Sequence, residues 1–591
     1  MTGEQGILFT LIVLVFVFLI WGRFRYDLVA FAALIVAYAT GVVPQDQVFS
    51  GFGHPAVMII ALVLVVSRGL SRSGAIELLA HRLIKASRGL QGHIGIMAGI
   101  AAVLSSVMNN VAALALLMPL DVQTARRAKR SPALTLMPLS FASILGGMVT
   151  LIGTPPNIVI ATFRENALGT PYGMFDFAPV GAVVALVGVL FVTIVGWRLI
   201  PHERSKHDAA KELQDLEGYV AEATVPESSA ALDKALRELE PMAEENDVAL
   251  LGLVRNGKRL AGTARNELVR KGDLVVLEGS PEAIDQFVGA AGLTYVGSEK
   301  REGVTAKAVT VTEVVVPEGA RIEGRSAMDV RLLYRQGVTL LGISRGGKRF
   351  RDRVRKVKIK AGDLLLLLGS EERLPDVVGW LGCLSLAKRG ASIMQRSKAW
   401  LAVGLFAAAI IVASFGLVYL PLALAVVVIA YLAFRIVPLS EVYESVEWPV
   451  IVLLASMIPL GAALEASGGT ALIAASIVNW TDGLPTIAVL TILMIVTMTL
   501  SDVLNNVATA LIAAPIAMDI ANRLDANPDS FLMAVAVAAS CAFLTPIGHK
   551  NNMIIMGPGG YRFGDYWRIG LPLEVLVLLV SVPMIVVVWP L

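Results

Sequence analysis

The sequence predicts a polytopic α-helical membrane protein of about ten spans. Two inverted repeats, each with a re-entrant hairpin, flank an inserted soluble α+β module. Three observations carry that prediction. Apolar residues are concentrated in two blocks, three motifs recur in the same order across those blocks, and the segment between them has the composition of ordinary soluble protein.

Of the 591 residues, 56% are hydrophobic and 16% charged, with a mean hydropathy of +0.70. Soluble domains carry roughly 45–50% apolar and about 25% charged residues. The excess lies in 7–200 and 400–590, and 201–395 lacks it. The first apolar run, Ile7 to Trp21, has neither a basic leader nor a small-residue cleavage site, so it reads as a retained helix. About twenty apolar residues cross a bilayer core as a helix. That ruler places spans near 7–22, 27–43, 55–70, 133–160 and 177–199, and again near 400–417, 419–436, 448–466, 530–555 and 570–590. The stretches 93–120 and 485–520 are apolar but polar at their centres, which reads as a hairpin in each half.

Basic residues orient the chain. Arg23, Arg25, Arg68, Arg72, Arg82, Lys85, Arg88, Arg126, Arg127, Lys129 and Arg130 share one side if both hairpins return to the side they entered. The opposite loops, 44–54 and 467–485, contain no Lys or Arg. The soluble module is then cytoplasmic, both termini lie outside, and the chain is a multi-pass protein of the cell membrane. The run 68–88, with Ile76, Leu79, Leu83 and Ile84 between its charges, reads as an amphipathic interfacial helix.

The repeat is explicit. Ser105-Ser-Val-Met-Asn-Asn-Val-Ala-Ala matches Ser501-Asp-Val-Leu-Asn-Asn-Val-Ala-Thr at an offset of 396, as Pro119 matches Pro515. Thr150-Leu-Ile-Gly-Thr-Pro-Pro-Asn157 matches Thr545-Pro-Ile-Gly-His-Lys-Asn-Asn552 at 395. Upstream, Pro55, Ala61, Leu70, Ser73 and Gly74 match Pro449, Ala455, Leu464, Ser467 and Gly468 at 394. Five spans precede the second copy, so the copies are inverted. Inverted repeats with interrupted helices are the pattern of alternating-access secondary transporters.

A hairpin arm of about fifteen residues rises about 22 Å and stops inside a core about 30 Å thick. Unwound backbone at that depth must be buried in protein or line a wet cavity. Asn109-Asn110 and Asn505-Asn506 occupy the tips, and Pro155 and Pro156 are expected to break the next helix. Freed helix N-termini suit an anion and freed carbonyls a small cation. Three ionisable residues fall at membrane depth, Asp502, His549 and Lys550, and such residues are functional by default. A lysine there replaces a coupling cation, binds the anion or snorkels to the cytoplasmic surface.

These tips, with Ala or Thr and a proline following, and the Gly-Thr-Pro-Pro-Asn segment resemble the divalent anion:sodium symporter family of the ion-transporter superfamily. The resemblance covers both membrane blocks. It implies a homodimeric elevator that carries a dicarboxylate, tricarboxylate or sulfate with sodium. The family tip is commonly Ser-Asn-Thr, whereas this chain has Asn109-Asn110-Val111 and Asn505-Asn506-Val507. On the matching positions, the substrate is expected at Ser105, Asn109, Asn110, Thr154, Asn157, Asn505, Asn506, Thr509, Lys550 and Asn552. The coupling cation is expected at Asn110, Gly153, Asp502, Asn506 and Gly548.

The module has its own repeat at an offset of 90. Gly252-Leu-Val-Arg-Asn-Gly-Lys258 matches Gly342-Ile-Ser-Arg-Gly-Gly-Lys348, and Gly272-Asp-Leu matches Gly362-Asp-Leu. Short β-rich runs bounded by Gly and Asp read as strands and tight turns. The pattern resembles two tandem RCK-C (TrkA-C) regulatory domains, which implies dimerisation and an ion or nucleotide ligand. No Gly-x-Gly-x-x-Gly fingerprint precedes them. The expected organisation is 1–200 first membrane repeat, 201–216 linker, 217–297 and 298–385 RCK-C-like domains, 386–399 linker, and 400–591 second membrane repeat. A basic ribbon from Arg345 to Lys360 is a solvated face or a contact for anionic headgroups.

The sequence therefore points to a cation-coupled secondary transporter of a small divalent anion, sulfate before a dicarboxylate. A cation–proton antiporter of the same superfamily is the alternative, and a channel or membrane receptor is a third reading. A net charge of +3 gives no basis for nucleic acid as a partner. Cys383 and Cys541 lie in different blocks, and no nucleophile–base pair, metal cluster or Walker motif points to an enzyme.

Overall fold

The computed structural model describes residues 2–21, 24–74, 89–128, 130–201, 204, 219–246, 248–255, 258–260, 266–279, 281–295, 310–332, 336–345, 348–350, 354–369, 373–386, 398–481 and 483–591. The chain divides into two compact units, Met1–Asp208 with Ala391–Leu591, and Ala209–Gly390. Residues 75–88 of the expected interfacial helix lie outside the described residues, as do most of the two expected linkers.

The first half of the apolar unit runs α1 (Gly3–Trp21), α2 (Tyr26–Ala39), α3 (Pro55–Ser73), α4 (Leu90–Val107), α5 (Asn110–Arg127), α6 (Ala133–Gly147), α7 (Pro155–Leu168) and α8 (Ala178–Ile194). The second half runs α9 (Ala399–Ser414), α10 (Leu420–Ala433), α11 (Leu439–Ser445), α12 (Trp448–Ala466), α13 (Gly469–Trp480), α14 (Thr486–Val503), α15 (Asn506–Arg523), α16 (Pro528–Ser540), α17 (Lys550–Met556) and α18 (Trp567–Val588). An apolar interior leaves the backbone only its own carbonyls as partners, which is why these runs are helical. Five helices among the described residues (α3, α4, α12, α14 and α18) are long and apolar enough to cross a membrane.

The order of elements repeats. α4–α5 and α14–α15 are helical hairpins broken only at Met108-Asn109 and Leu504-Asn505. α6–α7 and α16–α17 are helices interrupted at 148–154 and 541–549. Two details differ from the sequence reading. Each hairpin arm has 18 residues, a rise of about 27 Å, because intrahelical hydrogen bonding carries the helix past the apolar run into polar turns such as Asp121–Arg127. Pro155 and Pro156 begin α7 rather than break it. Proline at the first helical positions loses only an N–H that has no partner there anyway, and the unwound residues are those before it.

The two halves interlock. α4 packs on α6 and α14 on α16, while α2 crosses to α12 and α3 to α10. The second segments of the broken helices also cross over. α7 packs on α15 and α16, and α17 packs on α5 and α6. Gly181 in α8 and Gly570 in α18 let those backbones touch the unwound turns. A Cβ at either would lie 2.3 Å from the Met148 or Phe543 carbonyl oxygen. At the centre the Phe141 and Phe543 rings, one from each half, are 5.0 Å apart.

The second unit holds two five-stranded antiparallel sheets. One comprises β1 (Tyr219–Thr224), β2 (Ala249–Arg255), β3 (Lys258–Leu260), β4 (Leu274–Gly279) and β5 (Thr294–Tyr295), in the order β3-β2-β4-β1-β5. The other comprises β6 (Thr310–Val315), β7 (Thr339–Arg345), β8 (Lys348–Phe350), β9 (Leu364–Gly369) and β10 (Leu384–Ser385), in the equivalent order β8-β7-β9-β6-β10. Each sheet has its own apolar core, with Phe287 and Leu277 in one and Leu367 and Leu381 in the other. The shared Gly-Asp dipeptide has a physical reason. Gly272 and Gly362 sit at φ +81°, which favours glycine. The aspartate that follows accepts a forked pair from Arg255 or Arg345, and a backbone N–H from Arg270 or Lys360. Arg351 and Arg353 of the basic ribbon lie outside the described residues.

Burial works against ionisation of Asp273, but the Arg255 guanidinium and the Arg270 N–H outweigh it and hold the carboxyl below its ordinary value. Its stabilisation is therefore present above the ordinary carboxylate range and is lost as pH falls through the lowered value. Asp363 is fully buried. Asp363→Ala removes the carboxylate that Arg345 grips with two N–H groups and should cost about 2–3 kcal/mol locally, read as faster hydrogen exchange of β7 and β9 amides in the full chain. Unchanged β1 and β4 amides are expected in the same experiment.

Candidate functional site

Each hairpin tip is built the same way. Asn109 and Asn505 cap the returning arms, their Oδ1 atoms accepting the Val111 and Val507 N–H at 2.8 and 2.9 Å. A side-chain oxygen here satisfies one of the N–H groups a helix start leaves over. The unwound turns are tied to the tips identically. The Thr150 hydroxyl donates to the Ser106 carbonyl, and the Thr545 hydroxyl to the Asp502 carbonyl at 2.5 Å. Asn157 and Asn552 brace those turns from within, Nδ2 donating to the Thr150 carbonyl at 2.9 Å and to the Ala542 carbonyl at 2.9 Å. Gly153 and Gly548 fill close approaches, to the Gly147 carbonyl and to Asp502.

On this duplicated frame the side chains differ. At the first tip, Ser105 donates to Asn110 Oδ1 at 2.5 Å, and Asn110 Nδ2 lies 3.3 Å from His549 Nε2 of the other half. His549 Nδ1 accepts the Asn551 N–H at 3.1 Å, which leaves the ring's proton on Nε2. Asn110 and His549, one from each half, thus meet side chain to side chain at the first tip. Asn551 Nδ2 donates to the Asn110 carbonyl at 3.3 Å and to Ser143 at 3.2 Å, and Ser140 donates to Asn552 Oδ1 at 2.8 Å. All of these groups are buried. Asn551 Oδ1 is buried with no hydrogen-bond partner among the described residues.

At the second tip these contacts do not recur among the described residues, and Ser501, the counterpart of Ser105, donates to the Ala539 carbonyl at 2.6 Å. Thr154 is the sequence counterpart of His549; the residue is 1% exposed, and its hydroxyl has no hydrogen-bond partner among the described residues. Asn506 is half-buried, and its side chain makes no hydrogen bond among the described residues. The Thr509 hydroxyl bonds the Asn505 carbonyl at 3.2 Å. Asp502 Oδ1 accepts the Leu544 N–H at 2.9 Å, and Glu574 Oε1 of α18 accepts the neighbouring Phe543 N–H at 3.4 Å. The stretch 541–549 thereby joins both tips, because Gly548 packs on Asp502 and the next residue reaches Asn110.

The structure thus brings Ser105, Asn110, Asn552, Gly548 and Asp502 to one crossing. Lys550 instead points to Glu447, with which it forms an ion pair at a half-buried position. Sequence reasoning missed Ser140, Ser143, Asn551, Glu447 and Glu574. Glu574 had the same signal as Asp502, an acid inside an apolar run, but it lies outside the repeated motifs. Among the described residues no three His, Cys, Asp or Glu side chains form a metal cluster.

Paired hairpins and broken helices in an apolar, two-fold repeated unit define a multi-pass membrane transporter. The chain belongs to the citrate transporter family, which matches residues 16–517 and 474–591. It is 31% identical to an uncharacterized transporter of Synechocystis sp. over 95% of this chain and 93% of that one. It is 27% identical to the transporter YfbS of Escherichia coli over the whole of both. Sodium/sulfate cotransporter 2 of Chlamydomonas reinhardtii is 25% identical over 66% of this chain and 46% of its own length. The crystal structure of the Alcanivorax borkumensis YdaH transporter aligns with a TM-score of 0.44 at 14% identity, over 91% of this chain and 86% of that one.

A Cβ on Gly147 would lie 2.4 Å from Asn110 Oδ1. Gly147→Ala should displace the first tip at a cost of about 1–3 kcal/mol, seen as a lower thermal midpoint of the purified protein. Gly99→Ala, with open space at its Cβ, is expected to leave the midpoint unchanged or raise it.

Proposed function

We propose that the chain is a secondary active transporter of a small divalent anion, sulfate before a dicarboxylate, driven by a sodium or proton gradient. The observation that carries this reading is the meeting of the Asn110 amide and the His549 imidazole, one from each half, at the end of a broken helix. Both groups carry N–H donors that an anion oxygen accepts from. Thr154 and Asn506 supply further hydroxyl and amide donors at the other tip. The names of the relatives, a citrate transporter family and sodium/sulfate cotransporters, favour the same substrate class.

The crossed packing of α7 and α17 favours a rigid hairpin body that moves as an elevator between two faces of the membrane. In this reading the protein is a homodimer in the cell membrane. Its module is cytoplasmic and regulatory, in the manner of RCK-C domains, with an ion or nucleotide as ligand, and both termini lie outside. Lys550 acts through its ion pair with Glu447, as a fixed charge at the edge of the site.

Uptake of labelled sulfate and labelled succinate into proteoliposomes, under a sodium or a proton gradient, tests the reading. Saturable uptake of one anion is expected, falling at least tenfold in Asn110→Ala and Asn506→Ala while the purified protein remains folded. Absence of anion uptake under every gradient, together with sodium–proton exchange, would replace this reading with the antiporter. Normal uptake in both variants would remove the site.

A further inference from the structure

We infer that Asp502 and Glu574 form a proton-binding clamp between the second hairpin and α18, and that its proton is the one coupled to transport. The inference rests on the transporter reading and names its coupling ion. Asp502 ends the outer arm of the hairpin and is 2% exposed, and Glu574 lies in the second turn of α18 and is 7% exposed. The adjacent Phe543 and Leu544 N–H groups donate one to each acid, which sets the two carboxyl groups side by side. Two carboxylates only accept, and neighbouring like charges in a buried site oppose ionisation of both, so the pair holds a proton. Asp502 Oδ2 is buried and has no hydrogen-bond partner among the described residues.

The surroundings hold the pair without neutralising it. The Leu544 N–H donates to Asp502 Oδ1 at 2.9 Å, and the Phe543 N–H to Glu574 Oε1 at 3.4 Å. The unwound turn thus fixes one oxygen of each acid and leaves the others to meet. The ionisable groups acting on the pair are its own two carboxyls and, from the end of α16, the Cys541 thiol. The returning arm α15 starts beside it with Asn505 and Asn506, which do not titrate. Lys550 is turned to Glu447 instead.

The repeat provides an internal control. Ser106 occupies the Asp502 position and Ala185 the Glu574 position, given that Gly181 and Gly570 pack on equivalent carbonyls. The frame at the first tip closes without an acid, so the acids are not needed to build a tip. Loss of the proton leaves two like charges side by side in a buried site, and the hairpin separates from α18. A divalent anion nearby disfavours that charged state, so anion and proton load together. One proton is taken from the aqueous phase on one side with the anion and returned on the other.

Infrared difference spectroscopy of the reconstituted full-length protein reads the proton directly. A protonated-carboxyl C=O band at neutral pH is expected in the wild type and should be lost or shifted in both Asp502→Asn and Glu574→Gln. Its absence from the wild type would overturn the clamp whether or not the protein carries an anion. In proteoliposomes holding a pH-sensitive dye, sulfate uptake should acidify the lumen in step with the anion, and both variants should lose accumulation driven by a pH gradient at least tenfold. Sodium-driven anion uptake with no proton movement would overturn the coupling while leaving the anion reading intact. A band without any anion uptake would leave the proton site standing and sink the anion reading.

Discussion

The architecture depends on one constraint: the unwound backbone at 541–549 and 148–154 has no helical partner and must be satisfied inside an apolar unit. The hairpin tips supply the answer. Each presents a carbonyl to a threonine hydroxyl of the unwound turn, and an asparagine one helical turn further on holds that turn from within. A tip cannot move independently of its broken helix without stranding these groups. Because α7 and α17 pack on the opposite half, the two tips are bound into one body as well.

The duplicated frame bears unduplicated chemistry. Ser106 against Asp502, Thr154 against His549, Pro156 against Asn551 and Ala185 against Glu574 are among the substitutions that distinguish the halves at the crossing. The first tip is closed by neutral hydrogen bonds, and the second carries two acids and two polar groups without partners among the described residues. Equal frames keep the geometry two-fold. In the proposed transporter, unequal side chains let an anion and a charge-compensating proton sit close together without competing for the same donors.

Much of this was legible in the sequence. Apolar runs of bilayer length and the doubled Asn-Asn motif led to the helices, the hairpins and the breaks, because those depend on local composition. The arms were read as too short, since hydropathy falls at Asp121 while backbone hydrogen bonding continues to Arg127. The prolines were read as breakers, although proline at a first helical position marks a start. The pairing of His549 with Asn110, 439 residues apart, has no local signature. Glu574 was visible as a charge in an apolar helix, but its meaning came only with Asp502 as neighbour. In the module, the Gly-Asp repeat was seen without its arginine partner, which arrives from another strand.

The central claim is that the crossing between the two tips is where the anion rests. A structure determined with selenate, a heavier analogue of sulfate, tests this through its anomalous signal. The account predicts a peak within hydrogen-bonding distance of the Asn110 and His549 donors. A peak confined to the soluble unit, or none at a selenate concentration that saturates uptake, would contradict it.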